Sequence, residues 1–253
     1  MAGDARPRIG QLRECAAEAA VLLDFDGTLA AIGADPEQAR PVPGSVEVLR
    51  RLVRRFRLVA VISGRPAGFL AAHLDVPGLA LLGAYGLERV TPAGVAVAPE
   101  VAPWLPVVAE AAAAARRAAP PRAVVEDKGV SITLHYRAAP ETEAWARSFA
   151  AAESARRGLA VFDARRSVEL RPPLAVDKGT AAAALLDEAG ATAACATGDD
   201  EGDLRAFEAV AQLPLSLRVA VRSDEVPAEL LAAADLVVDG PDGVVRLLGE
   251  LAG

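Results

Sequence analysis

The sequence is 253 residues long, 53% hydrophobic with alanine prominent, only 4% aromatic, and carries a formal net charge of −7. That length allows one large domain or a core with a smaller second lobe, and the apolar share excludes a disordered chain. The acidic balance argues against a nucleic-acid partner, which needs a basic face, and two cysteines (Cys15 and Cys195) are too few for a disulfide framework or a thiolate-built metal site. The chain opens MAGDARPRIGQLRECAAEAA, where Asp4, Arg13, Glu14 and Glu18 break any apolar stretch, so no signal peptide is expected. No run of about 18 uncharged apolar residues follows, so no membrane helix is expected either, and a cytoplasmic protein is the default reading.

In chain order, VLLDFD (21–26) reads as a buried strand that ends on Asp24 and Asp26, a costly place for unpaired charge. A helix is expected over 45–56 (SVEVLRRLVRRF), then strands over 58–65 (LVAVISGR) and 79–86 (LALLGAYG). Helix 102–119 is followed by two adjacent strand-like runs, 122–128 and 130–137, joined at Gly129. Helix 141–158 is followed by strands 159–164 and 167–172, joined at Arg165 and Arg166. The alternation resumes with a helix over 177–190 capped by Gly190, then strands over 192–200 and 236–240. Strands alternating with helices predict an α/β fold, a doubly wound parallel sheet of Rossmann type. The twice-repeated αββ predicts a smaller α+β insert at 101–172, with the core in two parts, 1–100 and 173–253.

Ligands in open parallel sheets bind beyond the carboxyl ends of the strands. Asp24 and Asp26 are expected there on one face, since residues i and i+2 of a strand project together. Gly27 lets the chain turn away. A second strand end offers Ser63, Gly64 and Arg65, a hydroxyl and a pliant backbone suited to a phosphate oxygen. Arg65 either contacts substrate or anchors its loop. A third end offers Asp199, Asp200 and Asp203, and Lys178 starts the helix that reaches the same rim. Carboxylates for a hard cation beside a hydroxyl and an ammonium for an anion fit Mg²⁺-assisted chemistry on a phosphate.

In this order DFDGTL, the serine of ISGR, the lysine of DKG and GDDEGD resemble the four motifs of the haloacid dehalogenase superfamily of phosphatases, over most of the chain outside the insert. The resemblance implies that Asp24 is a nucleophile forming an aspartyl-phosphate, and that Asp26 protonates the leaving oxygen and then activates water. It further implies that Asp24, the backbone carbonyl of Asp26 and Asp199 hold Mg²⁺, that Ser63 and Lys178 neutralise the phosphoryl oxygens, and that Asp200 and Asp203 support that shell.

The insert resembles the αββαββ cap of the same superfamily. Within it, VEDKGVSITLHYR (125–137) resembles the cap segment of the trehalose-6-phosphate phosphatases, with Glu126, Lys128, His135 and Arg137 in matching places. SVELRP (167–172) resembles that family's later cap strand, with Glu169 placed to bind sugar hydroxyls, and LLGAYGLE (81–88) is a further point of agreement. The resemblance implies trehalose 6-phosphate as substrate; the alternatives are another sugar phosphate (of sucrose, glucosylglycerol or mannosylglycerate type) and a catalytically silent sensor. Each cap charge has a plainer reading as part of the solvated face of two hairpins. His73 reads as an ordinary surface or helix-end residue. One departure is Gly202, where the family usually carries threonine, with Leu204 after Asp203. With no companion glycosyltransferase segment, a stand-alone phosphatase is expected. Oligomeric state is left open, a monomer included.

Overall fold

The computed structural model describes residues 5–33, 36–164 and 166–253; Asp4 and the expected hairpin join at Arg165 lie outside them. The strands are β1 Ala19–Leu23, β2 Leu58–Ile62, β3 Ala80–Gly83, β4 Glu88–Thr91, β5 Gly94–Val97, β6 Val124–Asp127, β7 Ile132–His135, β8 Ala160–Ala164, β9 Ser167–Arg171, β10 Ala193–Gly198, β11 Leu215–Arg222 and β12 Leu236–Asp239. The α-helices are α1 Arg6–Glu14, α2 Ser45–Leu52, α3 Ala67–His73, α4 Leu105–Ala118, α5 Glu143–Arg157, α6 Lys178–Ala189, α7 Asp203–Val210, α8 Ala228–Ala233 and α9 Gly240–Ala252. By packing the chain divides into two units, Met1–Val95 with Val176–Gly253, and Ala96–Ala175.

The larger unit is built on a sheet of order β12-β11-β10-β1-β2-β3-β4-β5. From β12 to β3 every pairing is parallel, and β4 returns antiparallel to β3. Alternation along β1 explains the double winding, because successive side chains leave opposite faces. Ala19, Val21 and Leu23 join one core with Leu12, Leu49, Leu52, Leu70 and Leu248. Ala20 and Leu22 join the other with Leu185, Phe207 and Leu230. Thus α1, α2, α3 and α9 cover one face, while α6, α7 and α8 cover the other. The small alanines of β1 and β10 let both layers approach closely.

Strand ends and strand number both differ from the sequence reading, and the strand expected over 79–86 stops at Gly83 before a 3₁₀ turn, Ala84–Gly86. The first strand stops at Leu23 and does not run through Asp26. Asp24 N–H makes a last ladder bond to Thr197 O at 3.0 Å, after which Phe25 O accepts from Leu29 and Ala30 at 2.8 and 2.9 Å, so the backbone turns. Asp24 and Asp26 therefore do not share a strand face. Strands β4, β5 and β11 were not expected. In β11, Ser216, Arg218 and Arg222 interrupt any apolar run. Its signal is the spacing of Leu215, Leu217, Val219 and Val221, which face one core, and Arg218 is satisfied by a two-pronged bond to Asp235 at 2.9 and 2.8 Å.

The smaller unit is an antiparallel sheet of order β6-β7-β9-β8 with α4 and α5 on one face. Ile132, Leu134, Val168 and Leu170 pack against Val108, Ala111, Ala115, Ala146 and Ala150. Both helices are entered through 3₁₀ turns, Pro99–Trp104 and Pro140–Thr142, and α5 ends at Gly158 in the left-handed region, φ 74.

Candidate active site

Adjacent strands β10, β1 and β2 end in register, Leu23 lying opposite both Thr197 and Val61. The residues that follow them, Asp199, Asp24 and Ser63, therefore meet at one sheet edge. This edge is also where strand order switches direction, β1 running on to β2 and β3 while β10 runs on to β11 and β12.

Lys178 is delivered by the start of α6. Asp177 caps that helix, accepting from Thr180 N–H at 2.8 Å while Thr180 Oγ1 accepts from Asp177 N–H at 3.0 Å. The buried Lys178 Nζ lies 3.0 Å from Asp24 Oδ1, 2.8 Å from Asp203 Oδ1 and 3.3 Å from Asp200 Oδ1. Asp203 Oδ2 in turn accepts from the backbone N–H groups of Asp199 and Asp200 at 2.9 and 3.0 Å. This accounts for the spacing in GDDEGD. Asp203, at the start of α7, folds its carboxylate back to close the loop, and a Cβ at Gly198 would stand 2.0 Å from Asp203 Cγ. Gly202 has φ −64, so the backbone there does not demand glycine.

The electrostatics show a surplus of negative charge. Burial pushes the Asp24 carboxyl up to about 8, with Asp200, Asp199 and Asp26 adding to the rise and Lys178 opposing it. Burial pulls the Lys178 ammonium down, but Asp200, Asp203 and Asp24 together hold it well above the usual lysine range. One ammonium does not neutralise these carboxylates. Oxygen atoms of Asp24, Asp199 and Asp203 converge within 4.8 Å of one another. Such an all-oxygen set suits a hard cation such as Mg²⁺. Asp203 has both oxygens engaged, by Lys178 and by the backbone N–H groups of Asp199 and Asp200, and the third member of the cluster is Asp199. The turn after β1 is moulded to that carboxylate: Gly27 has φ +77, and a Cβ there would lie 1.9 Å from Asp199 Oδ2.

The other rim residues occupy distinct places. Ser63 is buried, and its Oγ accepts from Arg65 N–H at 3.2 Å. Arg65 is drawn to Asp26 by two bonds of 2.7 Å. Tyr85, a residue sequence reasoning passed over, donates its N–H to Ser63 O at 2.9 Å, and its phenol fills the space that a side chain at Gly64 would need. Ala84 and Tyr85 hold φ of 47 and 62, strain of the sort found where a loop must be fixed. His73 stacks on Phe69 at 4.4 Å.

In the smaller unit, one row crosses the sheet: Glu126 pairs with Thr133, Thr133 with Glu169, and Glu169 with Phe162. Glu169 accepts from Lys128 Nζ at 3.2 Å and Ser131 Oγ at 2.7 Å, while Glu126 bonds His135 Nε2 at 2.7 Å. The side chains of Lys128 and Glu169 are 8% and 2% exposed, so these two are not part of a solvated face. Glu126 is on β6 but Lys128 lies just past its end, and Arg137 follows β7 in a bend, half-buried. Thr133 was missed; its Oγ1 is buried with no hydrogen-bond partner among the described residues. The signal was the alternation of ITLH, which sends Ile132 and Leu134 to the core and Thr133 and His135 to the other face.

Residues 22–237 match the trehalose-phosphatase family model. The trehalose-phosphate phosphatase of Mycobacterium marinum is 33% identical over 242 residues, which cover 92% of this chain and 61% of that protein. The chain thus spans about three-fifths of the length of that curated relative. The C-terminal domain of a Candida albicans trehalose-6-phosphate phosphatase superposes with a TM-score of 0.79 at 22% identity, covering 98% of this chain and 97% of that one. A haloacid dehalogenase-like hydrolase from Bacteroides thetaiotaomicron gives 0.62 at 19% identity, covering 91% and 98%. At these identities the two superpositions show the fold alone, and the fold is haloacid dehalogenase-like.

Proposed function

The chain belongs to the trehalose-phosphatase family, and from that premise we propose that it hydrolyses trehalose 6-phosphate to trehalose and inorganic phosphate. The observation that carries this reading is the buried meeting of Asp24, Lys178 and Asp199 at the ends of adjacent parallel strands. A carboxylate so enclosed, with an ammonium at 3.0 Å, has the setting of a nucleophile aimed at an anionic centre.

In the first half-reaction an Asp24 oxygen attacks phosphorus, the bond from phosphorus to the sugar oxygen breaks, and the Asp26 carboxyl proton passes to that oxygen. In the second, water attacks phosphorus and gives its proton to the Asp26 carboxylate. The bond to Asp24 then breaks, releasing phosphate and restoring both side chains. Ser63 and Lys178 donate to the phosphoryl oxygens as their charge grows. Mg²⁺, held by Asp24, Asp199 and the Asp26 carbonyl, would supply the further positive charge that this acidic cluster lacks.

The smaller unit acts as the cap and recognises the sugar. Glu126, Lys128, Thr133, Arg137 and Glu169 offer acceptors and donors to adjacent hydroxyls, a pairing that discriminates sharply between sugars. The buried group of Lys128, Ser131 and Glu169 supports this, since a desolvated ion pair adds little stability on balance. Phosphoryl chemistry belongs to the core unit.

The test is a ratio. Glu169→Gln and Lys128→Met should each lower kcat/KM for trehalose 6-phosphate by about 10- to 150-fold, the worth of one charged hydrogen bond. Hydrolysis of para-nitrophenyl phosphate, which has no sugar, should change less than about threefold. Equal losses on both substrates would assign these residues to folding, and no loss on either would remove the cap from recognition.

A further inference from the structure

Arg65 and Asp26 form the most sharply defined pair at the rim. Arg65 Nε donates to Asp26 Oδ2 and Arg65 Nη2 to Asp26 Oδ1, both at 2.7 Å. The guanidinium is the buried partner, 11% exposed against 35% for the carboxylate. It rests on the Phe69 ring at 4.8 Å, and Phe69 meets Phe25 edge-on at 5.8 Å. Phe25 is fully buried and lies between Asp24 and Asp26 in the chain. The first strand end thus braces, through two rings, the cation that grips its own second aspartate. Arg65 N–H also donates to Ser63 Oγ at 3.2 Å, tying the same residue to the second strand end.

We propose that Arg65 is a positioning residue for Asp26, its rigid fork fixing the carboxylate for proton delivery to the sugar oxygen. This rests on the reading of Asp26 as proton donor given above. An aspartate beyond a strand end is free to turn about χ1 and χ2. A planar fork bonded to both oxygens removes that freedom, and a single ammonium would not. The fork engages one lone pair on each oxygen and leaves the others for the reacting partner.

Proton delivery matters in proportion to the basicity of the leaving oxygen. A sugar alkoxide needs the proton, whereas nitrophenolate departs without it. Because kcat/KM covers steps only through the first irreversible cleavage, the later hydrolysis of the intermediate does not enter. The experiment measures kcat/KM for phosphate monoesters from nitrophenyl to alkyl, trehalose 6-phosphate included, with wild type, Asp26→Asn, Arg65→Ala and Arg65→Lys. Asp26→Asn should steepen the dependence on leaving-group basicity. Arg65→Ala should steepen it likewise, losing about 10- to 100-fold on alkyl esters against a few-fold on nitrophenyl phosphate, with Arg65→Lys in between. Equal losses on all esters, or no loss on any, with Asp26→Asn steepened, would overturn the inference and leave Asp26 in place. A flat Asp26→Asn would instead overturn the proton-donor reading itself. Should Arg65→Ala fail to fold, the slope for Arg65→Lys decides alone: a wild-type slope refutes the proposal and a steeper one supports it.

Discussion

Replacing Asp24 with asparagine should abolish turnover and at the same time stabilise the metal-free protein. The two effects have one cause. Burial, with Asp200, Asp199 and Asp26 nearby, raises the Asp24 carboxyl from its ordinary 3.8 to about 8. Between those values the folded protein holds a proton that the unfolded chain has released, so the group makes folding less favourable as pH rises from about 4 to 8. At pH 7 the interval is about three units, an upper bound of about 4 kcal/mol at 1.36 kcal/mol per unit. Relaxation around a buried group reduces this, and a gain of about 1–3 kcal/mol is expected, or roughly 2–10 °C in Tm for a chain of this length. Asparagine keeps the shape and can still accept from Lys178, which retains Asp203 and Asp200 as partners. It cannot attack phosphorus, and kcat/KM should fall more than about 1,000-fold. The assay is thermal unfolding in EDTA and in Mg²⁺, paired with phosphate release. In Mg²⁺ the order should narrow or invert, because the cation stabilises wild type through the carboxylate that the variant lacks. A variant less stable than wild type in EDTA would refute the charge surplus. Retention of more than about a tenth of the rate, only 1.4 kcal/mol in barrier, would refute the nucleophile.

Activity should vanish on chelation and return with Mg²⁺, and Mg²⁺ should raise the Tm of the wild-type chain; full activity after exhaustive chelation would contradict the all-oxygen metal site. Gly27→Ala should cost about 100-fold in kcat/KM, because its Cβ would press on the Asp199 carboxylate and an ångström of misplacement has that effect; wild-type rates in this variant would show that the turn is not moulded to Asp199. Asp235 offers a separate test on the acid side. Burial raises its carboxyl, but hydrogen bonds from Arg218 and Arg8 outweigh this and hold it at about 2. Its contribution is therefore complete above about pH 4 and is lost as pH falls towards 2, so Asp235→Asn should cost about 1–2 kcal/mol at pH 7 and nearly nothing at pH 2 in urea unfolding. A cost that stays constant with pH would show that the ion pair is not its source.

Much of the site was legible because its residues sit where strand periodicity breaks. VLLDFD, LVAVIS and AACATGDD each change abruptly from apolar to polar, and the structure ends β1, β2 and β10 within two residues of those changes. Asp24, Ser63 and Asp199 stand at those breaks, whereas Lys178 was read from the start of its helix and Asp203 from its place in the GDDEGD cluster. What the strand pattern did not convey was which partner each carboxylate meets. Asp24 and Asp26 are two residues apart, yet one is enclosed with Lys178 and the other is gripped by Arg65, because the chain turns at Phe25 and not after Asp26. Nor did it convey that Asp203 spends its oxygens on two backbone N–H groups and an ammonium. The bonds from Lys178 and Arg65 are long-range contacts, and local patterning carries no record of them. β4 and β5 were missed for a related reason: β5 is exposed throughout, so no buried face marks it as a strand. Thr133 was hidden by its ordinariness. A threonine in a strand is commonplace, and only the register with Glu126 and Glu169 makes its buried hydroxyl notable.

Hydrolysis of trehalose 6-phosphate is decided by kcat/KM for that ester beside the 6-phosphates of glucose and sucrose, glucosylglycerol phosphate and mannosylglycerate phosphate, in Mg²⁺, with the freed sugar identified. Trehalose should be the product, with a preference of at least about 100-fold over each of the others, as expected where buried polar groups must all find partners. A higher value for any other ester, or equal values for all of them, would contradict it.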